Sequence, residues 1–158
     1  MFSGVAHADF GDLAFGGQLG VGAIELWGDG SESSVNARAV SLQPKVNLRV
    51  GLTDWLNLDT GVGYLLVDTE SLVRSGGSID LGLTGTLDVF AIVPELKIGL
   101  SLVMLEDGDD LRLMPGVDAS LAVRYHFDFN WSVALGAEFN VAILPRYQGT
   151  LSFLYVLN

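Results

Sequence analysis

The chain has 158 residues, of which 49% are hydrophobic and 17% charged, and its formal net charge is −11. A single domain that is both apolar and acidic must keep the two kinds of residue apart in space. No uncharged apolar stretch is long enough for a transmembrane helix, and the 20 glycines spread along the chain disfavour helices. The surplus of acidic residues argues against nucleic acid as a partner, and the lack of cysteine excludes disulfides.

The first ten residues come before any regular pattern. Ala6-His7-Ala8 has the small-x-small sequence of a signal-peptidase site, but the basic region and apolar core that should precede such a site are missing. Residues 1–10 are therefore interpreted as either an N-terminal arm or the remnant of a signal peptide. The pattern that follows assigns residues 11–158 to one folded domain.

Apolar and polar residues then alternate with a period of two, which is typical of β-strands whose two faces meet different environments. The first four runs cover residues 13–23, 40–52, 56–66 and 79–89. The second run is the clearest, because every second residue in it is apolar and the residues between include Lys45 and Arg49. The first half of the chain thus predicts four strands.

Four more runs follow, at residues 96–104, 113–125, 131–143 and 147–157. Turn-forming or acidic residues separate them, so consecutive strands are expected to be joined by short connections. Eight is an even number of strands, and an even-numbered antiparallel sheet can close into a barrel without the unpaired edges that hydrocarbon does not tolerate.

Charge is confined to one face of these strands. The eight apolar faces together hold 50 positions, and none of them is Asp, Glu, Lys or Arg. Six of the eight basic residues share the opposite faces with six acidic residues, so both signs of charge face the same compartment. These twelve residues are Lys45, Arg49, Asp59, Asp80, Asp88, Glu95, Lys97, Arg112, Asp118, Arg124, Glu138 and Arg146.

The volume of a small barrel decides which face points inward. An eight-stranded barrel has an interior only wide enough for side chains, and it would not accommodate 50 largely bulky apolar residues. The run lengths of 9 to 13 residues also suit strands that cross a bilayer. The expected fold is therefore an all-β, eight-stranded, antiparallel up-and-down transmembrane β-barrel, with the apolar face outward and a charged lumen.

Aromatic residues lie near the ends of the runs, where membrane interfaces select them. If the chain starts on the periplasmic side, one band lies at the periplasmic ends of the strands and a second lies at the outer ends. The predicted girdle residues are Trp27, Trp55, Tyr64, Tyr125, Trp131, Phe139, Tyr147, Phe153 and Tyr155.

Strand–turn–strand segments such as Leu48 to Leu56 (LRVGLTDWL) and Val123 to Trp131 (VRYHFDFNW) resemble the small outer-membrane barrels of Gram-negative bacteria, of the OmpA transmembrane domain, OmpX and OmpW kind. The last run is similar to the C-terminal assembly signal of that family, although it ends in Asn158 where an aromatic residue is usual. The resemblance implies an outer-membrane location, insertion by the outer-membrane assembly machinery, and contact with the lipid bilayer and lipopolysaccharide. We expect a monomer without cofactor or metal.

The charged residues are the main candidates for a functional site. Lys45, Asp118 and Glu138 fall near mid-strand and should share one depth, and Arg49 and Asp59 lie symmetrically about a turn and should face each other across a hairpin. The family resemblance implies a salt-bridge plug or gate that controls leak. The alternative is simple mutual neutralisation, because unpaired buried charge is costly.

Two other features of the sequence are candidate sites. Lipid A deacylases of this barrel type are similar in having a His-x-Ser pattern. The corresponding segment here is His126-Phe127-Asp128, which has no serine at the third position, so no catalytic residue is assigned. The acidic segment 106–110 lacks the length and ligand spacing of an EF-hand loop. It is interpreted as a solvated turn, with at most loose association of divalent cations.

The predicted external loops, at residues 28–34, 69–78, 106–110 and around 144–145, are all short, which argues against an adhesin. The leading hypothesis for function is a structural or envelope-integrity barrel with at most weak, gated permeability. The alternatives are a narrow channel for small or apolar solutes and a soluble, lipocalin-like ligand-binding barrel.

Overall fold

The computed structural model describes residues 11–26, 37–69, 72–87, 92–107, 110–128, 130–142 and 145–157. These residues form eight β-strands, and alternating faces account for where each strand runs. The strands are β1 (Leu13–Leu26), β2 (Ala37–Thr53), β3 (Leu56–Thr69), β4 (Leu72–Thr86), β5 (Ile92–Asp107), β6 (Asp110–His126), β7 (Trp131–Ala142) and β8 (Arg146–Leu157).

Each strand pairs antiparallel with its neighbours in sequence, and β8 pairs with β1 to close the barrel. Closure leaves no sheet edge exposed, which is the condition for a β-structure to span hydrocarbon. The end of the barrel that holds both chain termini and the β2–β3, β4–β5 and β6–β7 connections is called the terminal end here. The other end, with the remaining four connections, is called the loop end.

The outer surface is apolar. Most outward side chains are exposed and the rest are half-buried, and residues such as Leu100 and Val141 are 65% and 73% exposed. The inward positions of the same strands are buried and mostly polar at mid-barrel. The expected up-and-down barrel with its apolar face outward is confirmed, and a soluble barrel with an apolar ligand-binding lumen does not fit this arrangement. The described residues include no helix that is long and apolar enough to cross a membrane.

The strands are longer than the alternating runs suggested, and one predicted loop is wrong. Residues 69–78 were expected to form an external loop, but β4 begins at Leu72, and Thr69 pairs with Leu72 across the hairpin. The Ser-Gly-Gly-Ser sequence that reads as a turn lies inside the strand. Gly76 is required there because a Cβ atom at this position would lie 1.9 Å from the carbonyl oxygen of Met104.

Several predictions concern residues outside the described ranges. They include the N-terminal segment 1–10, the first external loop at 28–34, the girdle residue Trp27 and the luminal residue Asp88. The acidic segment 106–110 is described only in part: β5 extends to Asp107, which pairs with Asp110 at the start of β6.

Candidate functional site: the interior of the barrel

The interior is built in layers, and β5 shows their order. From the terminal end towards the loop end, its inward residues are apolar at Val93, charged at Glu95 and Lys97, polar at Ser101 and apolar again at Val103. Period-two alternation brings each of these side chains to the same side of the sheet. The two charged layers and the apolar layer at the loop end are described in turn.

The charged layer nearer the terminal end, called the lower ion group, centres on Glu95. The Nη1 atom of Arg49 lies 2.6 Å from Glu95 Oε1, and Arg124 contacts both oxygens of Glu95, through Nε at 2.7 Å and Nη2 at 3.0 Å. One glutamate on β5 therefore joins an arginine on β2 to an arginine on β6. Two-point contacts of this kind between a guanidinium and a carboxylate are among the strong ion pairs in proteins.

The lower ion group also contains Asp59. Arg49 donates from Nε to Asp59 Oδ1 at 2.8 Å, and these two residues are direct partners in the β2–β3 register. The prediction that they face each other across the hairpin is confirmed. Thr84 donates to the other oxygen of Asp59, and Arg124 donates from Nη1 to Ser132 Oγ at 3.0 Å. Two positive and two negative side chains therefore balance, with hydroxyl groups filling the remaining sites.

The second charged layer, the upper ion group, centres on Glu138. Lys45 Nζ lies 3.0 Å from Glu138 Oε1 and 2.8 Å from Asp80 Oδ2. Arg146 Nη2 lies 3.2 Å from the same Glu138 oxygen and 4.0 Å from Asp118 Oδ1. Lys45, Asp118 and Glu138, which were expected to share one depth, therefore belong to one connected group.

Amide side chains surround the upper ion group and satisfy more of its oxygens. Gln148 donates to Glu138 Oε1 at 2.9 Å, and Gln18 donates to Glu138 Oε2 at 3.1 Å. Asn140 donates to Asp118 and, at 2.7 Å, to Ser101 Oγ. These contacts join strands β1, β5, β6, β7 and β8, so the group ties together parts of the barrel that are distant in sequence.

The two ion groups and Lys97 are together neutral. Lys97 is half-buried between the two ion groups and adds a fifth positive charge to Lys45, Arg49, Arg124 and Arg146. The acidic partners are Asp59, Asp80, Glu95, Asp118 and Glu138. Arg112 has the inward parity expected of it, but it is exposed near the start of β6 and lies outside both groups. The excess of negative charge is thus carried by residues outside these groups.

Inward glycines make room for the long charged side chains. A Cβ atom on Gly63 would lie 2.7 Å from Lys45 Cγ, and one on Gly82 would lie 2.8 Å from Lys97 Cε. The lysine stems therefore lie directly over the backbone of neighbouring strands. This close approach is how a narrow barrel holds ten charged side chains.

The aromatic residues of the outer face lie in two bands. Trp131, Phe15 and Tyr155 cluster at the terminal end, with ring centroids of Trp131 and Tyr155 4.7 Å apart and those of Phe15 and Tyr155 5.4 Å apart. Phe139 and Tyr147 meet edge to face near the loop end, at 5.7 Å. The other described members of the predicted girdle are exposed on the outer surface, namely Trp55, Tyr64, Tyr125 and Phe153.

His126 faces the mouth of the interior at the terminal end and is half-buried. It is the cross-strand partner of Ser132, whose hydroxyl accepts a hydrogen bond from Arg124. A catalytic histidine of the lipid A-modifying kind would face the membrane, and His126 does not. Among the described residues, no cluster of three or more side chains that could bind a metal ion is found.

Two small cavities lie beside the ion groups. One of about 50 Å³ is lined by Gln18, Asn47, Lys97 and Ser120 together with members of both groups, and one of about 20 Å³ lies between the lower ion group and the terminal mouth. Volumes of this size hold a few water molecules. Neither cavity is large enough for an organic solute.

Sequence reasoning missed the apolar residues of the interior. Seven buried residues form one cluster at the loop end, here called the apolar plug: Ile24, Ala39, Leu65, Val67, Val103, Leu105 and Met114. Its signal in the sequence is the loss of alternation, because residues 64–67 (YLLV) and 102–105 (LVML) are apolar on both faces. Only the lipid-facing half of each of these segments was assigned.

No protein-family model matches the chain, and no curated protein matches it in sequence. Solved structures do match. The outer membrane protein OprG from Pseudomonas aeruginosa superimposes with a TM-score of 0.72 at 12% identity, covering 99% of this chain and 100% of that one. The N-terminal β-barrel domain of Pseudomonas aeruginosa OprF gives 0.69 at 12% identity, with coverages of 94% and 98%. Neisserial surface protein A gives 0.68 at 15% identity, with coverages of 90% and 96%.

These likenesses establish the fold. The chain has the architecture of small outer-membrane β-barrels over nearly its whole length, so the resemblance to that group is confirmed at the level of fold. Identities of this size carry no residue roles from one protein to another, and the interior described above is argued from this chain alone.

Proposed function

We propose that this protein is an outer-membrane β-barrel with a structural, envelope-integrity role and at most weak, gated permeability. The observation that carries the proposal is the filled interior. Two connected ion groups cross the lumen, their charges are paired at 2.6–3.2 Å in most contacts, and the cavities beside them hold only a few waters.

The outer surface supports a membrane location. A belt of exposed Leu, Val and Ile residues surrounds the barrel, with aromatic side chains near both ends. In water this surface would be a large aggregation hazard, whereas in a bilayer it is the expected lipid contact. The fold shared with OprG and the OprF barrel domain favours the outer membrane over other membranes. The partners proposed are therefore lipid, including lipopolysaccharide, and the outer-membrane assembly machinery.

Two other functions receive less support. A narrow channel for small or apolar solutes would need a path as wide as the solute, and the cavities beside the ion groups have volumes of only about 50 and 20 Å³. An enzymatic role would need a nucleophile and base on the membrane side of the barrel, and the one described histidine faces the interior mouth. We therefore propose a non-enzymatic protein.

The first test is heat-modifiability. The protein is refolded into detergent micelles, and the gel mobilities of boiled and unboiled samples are compared with those of a detergent-free control. We expect a mobility shift that appears only with detergent, followed by little or no conductance in planar bilayers. A protein that stays monomeric and folded without detergent would contradict the membrane location, and a steady open pore would contradict the filled interior.

A further inference from the structure

Water has easier access to the interior from the terminal end than from the loop end. At the terminal end, the smaller cavity is lined by the exposed Asp54 as well as by Arg49, Glu95 and Arg124. It therefore reaches from the mouth to the lower ion group. The larger cavity shares Arg49, Glu95 and Arg124 with it and continues towards Glu138. The lining of the smaller cavity is mixed, because the buried apolar residues Val93, Leu154 and Val156 also contribute to it. Charged side chains nevertheless line the two cavities from the terminal mouth to Glu138.

The loop end is different, because the apolar plug lies across the lumen. Its members come from β1, β2, β3, β5 and β6, and they contact one another as a single cluster. Leu105 also reaches over β4, where a Cβ atom on Gly76 would lie 2.9 Å from Leu105 Cδ2. Leu65 and Val67 at its centre are 0% and 1% exposed.

The polar groups next to the plug cannot take the place of the water molecules that surround a hydrated ion. Ser41 lies two residues from the plug member Ala39 on β2 and is fully buried. Arg74 and Arg112 have inward parity at this depth, as the cross-strand partners of Val67 and Leu105, but they are half-buried and exposed, respectively. An ion that passed between the buried plug residues would exchange its hydration shell for aliphatic carbon. Apolar constrictions of this kind close pores by excluding water, without any charge being needed.

We infer that the barrel interior is a one-ended cavity: the apolar plug seals it at the loop end, while water enters from the terminal end as far as the ion groups. This inference rests on the proposed function, since it assumes a membrane-spanning barrel. It assigns the seal to the plug and leaves the ion groups the task of holding the interior strands together. Breaking an ion pair then does not open a path, whereas wetting the plug does.

The test uses substitutions that keep shape and change only polarity. Val67→Thr combined with Val103→Thr places two hydroxyl groups in the plug at nearly unchanged volume. The matched control is the same change at two lipid-facing positions, Val62→Thr with Val117→Thr. A third variant, Lys45→Met, breaks the upper ion group and leaves the plug intact. Heat-modifiability confirms that each variant is folded before its conductance is measured in planar bilayers.

We expect the plug variant to show open events roughly tenfold or more often than the unchanged protein, since about 1.4 kcal/mol of lost apolar stabilisation corresponds to a tenfold shift in an equilibrium. The lipid-facing control and Lys45→Met should conduct no more than the unchanged protein. A folded plug variant that stays silent, or a Lys45→Met variant that opens as often as the plug variant, would overturn the inference and leave the proposed function standing. A steady pore in the unchanged protein would overturn both the inference and the proposed function.

A second readout does not depend on conductance, and it covers the case in which the plug variant fails to fold. The chain contains no cysteine, so single cysteines can be placed on a clean background. Ser120→Cys lines the larger cavity, and Ser41→Cys lies beside the plug. With silver ion as the probe in micelles, we expect Ser120→Cys to react at least about tenfold faster than Ser41→Cys, because apolar burial excludes the hydrated ion. Equal rates would overturn the inference that water entering from the terminal end stops at the ion groups.

Discussion

The outer and inner faces of this barrel are built from the same eight strands but obey different rules. On the outer face, side chains such as Leu100 and Val141 are largely exposed, and in the proposed membrane location any apolar residue of similar size would serve there. On the inner face, the charged side chains have specific partners: Glu95 joins Arg49 to Arg124, and Glu138 joins Lys45 to Arg146. The outer face thus needs a class of residue, whereas the inner face needs particular residues at particular positions.

The largest expected effect comes from breaking the lower ion group. Glu95→Gln leaves two buried arginines with only Asp59 as a negative partner, and removing one partner of a buried pair typically costs about 3–5 kcal/mol. Glu138→Gln should cost less, because the upper ion group keeps Asp80 and Asp118 beside Lys45 and Arg146. The measurement is urea unfolding of the refolded barrel in lipid vesicles. Equal losses for the two substitutions would show that charge balance within each group does not matter.

Lys45→Met is expected to have the next largest effect. It removes the ammonium that contacts Asp80 and Glu138 at 2.8 and 3.0 Å, and it leaves an uncompensated carboxylate in the interior. We expect a loss of about 2–4 kcal/mol in the free energy of unfolding. Arg112→Met is the matched control, since Arg112 is exposed and exposed ion pairs contribute little, and it should cost less than about 1 kcal/mol. Similar losses for both would place Lys45 outside any essential interior contact.

A pair of glycine substitutions sharpens the comparison between the faces without changing charge. Gly63→Ala puts a methyl group 2.7 Å from Lys45 Cγ and 2.9 Å from Ser78 Oγ, so we expect a loss of about 1–3 kcal/mol. Gly149→Ala adds the same methyl group on the outer face, where its nearest atom, the carbonyl oxygen of Val21, is 3.9 Å away. It should be neutral or stabilising by up to about 1 kcal/mol. The same unfolding assay gives both values, and a costly Gly149→Ala would contradict the tolerance of the outer face.

The sequence also predicts the outer face of the barrel better than the inner face. Strand number and the phase of each strand come from alternation, which the lipid contact imposes along the whole outer face. The pairing of Arg49 with Asp59 is also predictable, because a hairpin about Asp54 sets that register locally. The meeting of Glu95 with both Arg49 and Arg124 is not, since it depends on how β2, β5 and β6 face one another across the closed barrel.

Two further failures have local causes. The apolar plug was missed because residues 64–67 and 102–105 are apolar on both faces. A rule that assigns one apolar face to each strand identifies only the outward residues of these segments. The supposed loop at 69–78 was a misreading of Gly76 and Gly77. Glycine in a strand interior gives the same local signal as a turn, although here it reflects the close approach of β5.

The smallest effect is expected at the aromatic cluster of the terminal end, where the outer face comes nearest to having specific partners. Tyr155 packs against both Trp131 and Phe15, and such ring pairs contribute about 0.5–1.5 kcal/mol beyond the area they bury. Tyr155→Leu should therefore lower the free energy of unfolding in vesicles by about 1 kcal/mol, whereas Tyr155→Phe, which keeps both ring contacts, should change it little. A loss with Tyr155→Phe as large as with Tyr155→Leu would show that the hydroxyl, and not the ring packing, anchors this end of the barrel at the membrane interface.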